Sequence, residues 1–179
     1  MSPRRILVTG GVRSGKSAYA ERCLADHPAV TYLAPGPVPD PVADPEWAMR
    51  IEAHRERRPA QWTTVETADV VGELRTAEQP VLLDCLGTWL TRLIDDLRGW
   101  DRPRPDWAAD WQAATGALVD AWRAFSYDAV AVTNEVGWGL VPVHASGRLF
   151  ADLLGRVNQE VAGASDEVVL MVAGRTLRL

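Results

Sequence analysis

Ile6-Leu7-Val8-Thr9-Gly10-Gly11-Val12-Arg13-Ser14-Gly15-Lys16-Ser17 carries an apolar run straight into a glycine loop, and Ala18-Tyr19-Ala20-Glu21-Arg22-Cys23-Leu24 follows with the composition of a helix. From Gly10 to Ser17 the residues fit G-x-x-x-x-G-K-[ST] in the required context of strand, loop and helix. Each residue type has a physical reason. Glycines at Gly10, Gly11 and Gly15 let main-chain amides, those of Val12, Arg13 and Ser14 included, close around phosphate oxygens, and the helix N-terminus adds partial positive charge. Lys16 reaches the β- and γ-phosphates and the Ser17 hydroxyl binds Mg²⁺. A nucleoside triphosphate, ATP or GTP, is the expected ligand. Lys16 is also the single lysine among 19 basic residues. It stands where a slim point charge fits among phosphates and a planar guanidinium does not.

Working outward, short runs rich in Val, Ile and Leu occur at Arg5 to Thr9, Ala29 to Ala34, Val81 to Cys85, Ala129 to Thr133 and Val168 to Val172. Continuous apolar runs are what strands buried on both faces look like. Helix-like segments separate them, roughly Gly15 to Asp26, Pro45 to Arg57, Ala68 to Thr76, Thr88 to Leu97, Asp106 to Phe125 and Gly147 to Ala162. Strands alternating with helices imply βαβ units, so the expected fold is α/β, a P-loop NTPase-like three-layer arrangement with a mostly parallel central sheet. Pro35 to Pro41 and Gly99 to Pro105 read as surface loops. Neither is long enough to separate two cores, so residues 1–179 are expected to form one catalytic domain.

Composition narrows the function. The chain is 47% apolar and 24% charged with a net charge of -5, which excludes disordered and fibrous classes and disfavours non-specific nucleic-acid binding. Phosphate must meet a local site instead. Cys23 and Cys85 are the two cysteines and lie far apart, which gives neither a disulfide framework nor a zinc pattern and fits a reduced cytoplasm. No apolar run reaches the ~18 residues of a membrane span, and the N-terminal run is too short for a signal peptide. Trp107, Trp111 and Trp122 share one helical face with Ala114 and Leu118, a pattern of core or interface packing.

Val81-Leu82-Leu83-Asp84-Cys85 is an apolar strand ending in an acid. In a parallel sheet that end faces the ligand crevice, so Asp84 is placed to hold magnesium; the competing reading is a cap on the next helix. Arg50, His54 and Arg58 recur at helical spacing, which would line an imidazole up between two guanidiniums and could grip phosphate, or simply form a solvated surface. Asn134-Glu135-Val136-Gly137-Trp138-Gly139 follows another strand and is either a ligand-packed loop or a tight turn. His27 and His144 lack metal-like spacing.

Taken together, Gly10 to Ser17, Arg50-Ile51 through His54 to Arg58-Pro59, Trp62 with Glu66, Leu82 to Leu86, Thr133 to Gly137 with Val141-Pro142, and Gly155-Arg156-Val157-Asn158-Gln159 resemble the bifunctional adenosylcobinamide kinase / adenosylcobinamide-phosphate guanylyltransferase family. The resemblance implies two reactions: phosphoryl transfer from ATP or GTP to adenosylcobinamide, then transfer of GMP from a second GTP through a GMP-histidine intermediate. By the same resemblance the histidine is His54, and Arg55, Arg58, Glu66 and Asp84 contact nucleotide. It also implies a homotrimer. A neutral imidazole at pH 7 suits the nucleophilic role. Pro35, Val143 and Arg175-Thr176 depart from the family pattern. A plain metabolite kinase without guanylyl transfer and a GTP-hydrolysing regulator are the alternatives.

Overall fold

The computed structural model describes residues 3–36, 42, 44–56 and 58–179; within the second helix the side chains of residues 47, 48, 50, 53, 54 and 56 lie outside the description. Seven strands, β1 (Arg5–Gly10), β2 (Thr31–Ala34), β3 (Thr63–Glu66), β4 (Val81–Asp84), β5 (Ala129–Val132), β6 (Glu167–Val172) and β7 (Arg175–Arg178), form one sheet in the order β3-β2-β4-β5-β1-β6-β7. Every neighbouring pair is parallel except β6–β7. The helices are α1 (Lys16–Cys23), α2 (Pro45–Glu56), α3 (Val70–Thr76), α4 (Leu86–Asp96), α5 (Ala108–Ala124) and α6 (Ala145–Gly163).

The apolar runs form strands because both faces of the sheet are covered. On one face Leu7, Leu33, Leu83 and Ala131 pack with residues of α3 to α6. On the other, Val8, Tyr32, Leu82, Val130 and Val132 pack with Ala20 and Leu24 from the α1 side. Successive residues of β4 thus feed opposite layers, the period-2 alternation of a strand. The tryptophan stripe is core, with Trp107, Trp111 and Trp122 all buried against the layer that holds α4 and α6.

Two strands are absent from the sequence expectation. β3 is an edge strand in which only Val65 is even half-buried, so burial leaves no apolar signal. β7 is exposed along its length and is joined to β6 by Ala173 and Gly174, both with positive φ (48° and 77°), the two-residue hairpin geometry that favours glycine. Helix ends differ modestly. α4 begins two residues earlier than expected because Cys85 occupies its N-cap and donates its N–H to Thr88 Oγ1 at 3.3 Å. α2 stops at Glu56, so Arg58 does not continue a helical face with Arg50 and His54; that expected alignment is corrected. Residues 37–41 of the proline-rich loop lie outside the described residues.

Candidate nucleotide site at the carboxyl edge of the sheet

β1 delivers the glycine loop to the edge where parallel strands end, and α1 starts directly behind it. Gly10 and Gly15 have φ of 148° and 95°, which side chains rarely tolerate. A β-carbon at Gly10 would lie 2.4 Å from Met171 O on neighbouring β6, so the close approach of β1 and β6 itself requires glycine. The hairpin turn braces the loop from the other side, Gly174 N–H donating to Ser14 O at 3.0 Å. Ser14 Oγ is buried without a protein partner, an exception among buried polar groups, which are ordinarily hydrogen-bonded.

Lys16 is buried, and its Nζ donates to Gly11 O at 2.7 Å. Burial pushes its ammonium below the usual lysine range, while Cys85 and Asp84 pull it back up. The charge is therefore held inside the loop with a carboxylate within electrostatic reach. An ammonium in partly desolvated surroundings interacts more strongly with phosphate than one in bulk water.

Asp84 ends β4, one strand removed from β1 because β5 lies between them. Cys85, and not Asp84, caps α4, so the helix-cap reading of Asp84 does not hold. Its Oδ2 instead accepts from Tyr32 Oη at 2.9 Å. The ring of Tyr32 carries Arg58, whose Cζ lies 3.5 Å from the ring centroid, and Arg58 Nη1 donates to Thr64 Oγ1 at 2.7 Å. Arg55 Nη2 pairs with Glu66 Oε1 at the end of β3. His54 lies on α2 one residue before Arg55; its side chain is outside the described residues. Lys16 and Ser17 open α1, Arg55 lies in the last turn of α2, Arg58 follows that helix, and Glu66 and Asp84 end β3 and β4. Tyr32 and Thr64 were missed by the sequence reading, for neither residue type at its position signals a role until its strand is placed.

The loop after β5 belongs to the same edge. Glu135 N–H donates to Gly10 O at 3.0 Å, Thr133 Oγ1 donates to Asn158 Oδ1 at 2.6 Å, and Asn158 Nδ2 donates to Asn134 O at 3.1 Å. Two segments of the family resemblance, around Asn134 and around Asn158, are therefore one hydrogen-bonded unit that supports the glycine loop. His27 sits elsewhere, paired with Asp128 at 3.0 Å, and His144 precedes α6 as its N-cap.

Among the described residues, no group of three or more His, Cys, Asp or Glu side chains comes together. Mg²⁺ does not require such a cluster, since it retains waters and takes one or two protein oxygens besides those of phosphates.

A parallel sheet with a glycine loop, a buried lysine and an acidic strand end at its carboxyl edge defines a P-loop nucleotide-binding fold. A solved structure described as a prototypical ATPase from the type III secretion system of pathogenic bacteria shares that fold, with a TM-score of 0.54 at 11% identity over 94% of this chain and 51% of that one. The chain belongs to the CobU family, cobinamide kinase / cobinamide phosphate guanyltransferase, whose sequence profile matches residues 6–179. It is 42% identical over 180 residues to the bifunctional adenosylcobalamin biosynthesis protein CobU of Escherichia coli (strain K12), covering 94% of this chain and 96% of that protein. Identity to CobU of Salmonella typhimurium is 42% over 177 residues, with the same coverage of both chains. CobP of Pseudomonas aeruginosa is 35% identical over 182 residues, covering 98% of this chain and 96% of that protein.

Proposed function

We propose that this chain is a bifunctional enzyme of cobalamin biosynthesis that phosphorylates adenosylcobinamide with ATP or GTP and then transfers GMP from GTP to give adenosylcobinamide-GDP and pyrophosphate. The observation that carries the reading is the meeting, in a member of this family, of the glycine loop and the α2 end at one sheet edge, joined through Asp84, Tyr32 and Arg58.

In the first reaction the substrate hydroxyl oxygen bonds to the γ-phosphorus and gives up its proton to solvent, the bond to the β–γ bridging oxygen breaks, and ADP or GDP leaves. Gly10, Gly11, Val12, Arg13, Ser14 and Gly15 supply the cradle and Lys16 stabilises charge on the transferring group. Ser17 and Asp84 are the residues that would hold Mg²⁺. When bound, that ion neutralises phosphate charge. In the second reaction an imidazole nitrogen of His54 bonds to the α-phosphorus of GTP and the bond to pyrophosphate breaks. A phosphate oxygen of adenosylcobinamide phosphate then bonds to the same phosphorus, the phosphorus–nitrogen bond breaks, and His54 is regenerated. Arg55 and Arg58 face the nucleotide phosphates, with Glu66 orienting Arg55.

The reading extends to a homotrimer of single-domain chains, residues 1–179, working in the cytoplasm on small molecules and not on nucleic acid. Among the described residues no helix is long and apolar enough to cross a membrane.

The deciding experiment uses GTP labelled at either phosphorus. The α-label should become bound to protein through an acid-labile, alkali-stable bond and the γ-label should not. His54→Ala should lose the label and adenosylcobinamide-GDP formation while retaining kinase activity. Wild-type labelling of His54→Ala would remove His54 from the reaction, and absence of any α-label in the native enzyme would leave a kinase alone.

A further inference from the structure

The residue that joins the two halves of this edge has no role in the chemistry above. Tyr32 is on β2, between β3 and β4, and is 3% exposed. Its register partners are Thr64 on β3 and Leu82 on β4. Asp84 is two residues beyond Leu82, hence on the same face and closer to the carboxyl edge. The phenol spans that offset, and its hydroxyl donates to Asp84 Oδ2 at 2.9 Å. The ring meanwhile forms the floor on which the Arg58 guanidinium lies, at 3.5 Å, while Thr64 fixes Nη1 at 2.7 Å. Packing with Trp62, Leu82 and Val30 in the same apolar cluster locks the ring.

We propose that Tyr32 is the positioning residue of both half-sites: its hydroxyl holds the Asp84 carboxylate in place for the metal–nucleotide complex, and its ring holds Arg58 in place for the guanylyl-transfer nucleotide. The inference rests on the proposed two-reaction function. Asp84 lies within electrostatic reach of Lys16. Loss of the phenol's hydrogen bond would remove one of the restraints on the carboxylate. An ordinary phenol is protonated at neutral pH, so the hydroxyl is the donor and the carboxylate the acceptor. Hydrogen-bond partners one step behind a metal ligand commonly alter metal affinity by about 10-fold or more when removed.

Two substitutions separate the functions of ring and hydroxyl. Tyr32→Phe keeps the ring and loses the hydroxyl; Tyr32→Leu loses both. The first readout is Mn²⁺ affinity in the presence of a non-hydrolysable GTP analogue, followed by the electron paramagnetic resonance signal of free Mn²⁺. It requires no corrinoid turnover, so it stands apart from failure of the proposed reactions. Tyr32→Phe should weaken Mn²⁺ binding about 10-fold. The second readout is KM for GTP in α-label transfer at saturating metal, where Tyr32→Phe should match wild type and Tyr32→Leu should show a severalfold higher value. Wild-type Mn²⁺ affinity in Tyr32→Phe overturns the proposal, whether or not the leucine variant folds. A Tyr32→Phe KM raised as far as that of Tyr32→Leu overturns the part assigned to the ring.

Discussion

Replacing Gly10 by alanine asks whether the glycine loop is held by contact with the neighbouring strand or merely tolerated by it. The added β-carbon would lie 2.4 Å from Met171 O and 3.0 Å from Ser14 Oγ, so the first contact falls about 1 Å short of an ordinary carbon contact of ~3.5 Å. Met171 O is main chain, and Gly10 and Met171 are register partners across β1 and β6. No side chain can rotate away; the strands themselves must separate. The φ of 148° adds backbone strain, about 1–3 kcal/mol for a side-chain-bearing residue, and overpacking adds about 1–3 kcal/mol. A loss of about 2–6 kcal/mol follows, which for a chain of this size lowers Tm by roughly 4–24 °C. The control is Gly11→Ala, where nothing lies within 4 Å of the added carbon and the expected change is within about 0.5 kcal/mol. Thermal unfolding by calorimetry without nucleotide reads the difference directly. Equal Tm values for the two alanine variants would refute the argument that the β1–β6 approach demands glycine.

Lys16→Ala should fold normally and lose phosphoryl transfer to adenosylcobinamide by about 10²-fold or more, since the site loses its buried cation; rates within tenfold of wild type would remove Lys16 from the phosphate site. Asp84→Asn should raise the Mg²⁺ concentration for half-maximal kinase activity, because a neutral amide binds a hard cation less well than a carboxylate, and an unchanged titration would count against a metal role. A third expectation concerns acid stability. The Arg5 side chain, and then its backbone N–H, hold Asp166 below the ordinary carboxylate range. A carboxyl depressed in the folded state contributes stability above its unfolded pKa of ~3.9 and loses it as pH falls through the folded value. Arg5→Gln should therefore lower Tm at pH 7, with the gap to wild type narrowing as Asp166 is protonated in acid; a Tm gap that persists undiminished at low pH would assign the effect of Arg5 to contacts other than the ion pair, such as its bond to Arg123 O.

The β1–loop–α1 unit is legible in the sequence because its information is local: an apolar run buried on both faces, glycines at the turn, one lysine, and a helix beginning at once. The five apolar strands and the tryptophan face are legible for the same reason, since burial imposes a period that composition records. Asp84 could be placed at a ligand edge from its position after Val81-Leu82-Leu83, yet whether it caps α4 was settled only when Cys85 took the cap. The edge strands β3 and β7 carried no apolar signal because little or none of their surface is buried. Arg58 was aligned with His54 by periodicity, but α2 ends first, and its guanidinium is held by residues of two strands instead. Tyr32 and Asp84 are 52 positions apart, and no local pattern specifies such a pair. Sequence by itself determined the elements whose residues are buried and the loop whose chemistry is contiguous. Tertiary structure alone decided which strand ends meet, because register and strand order are set by pairing between distant segments.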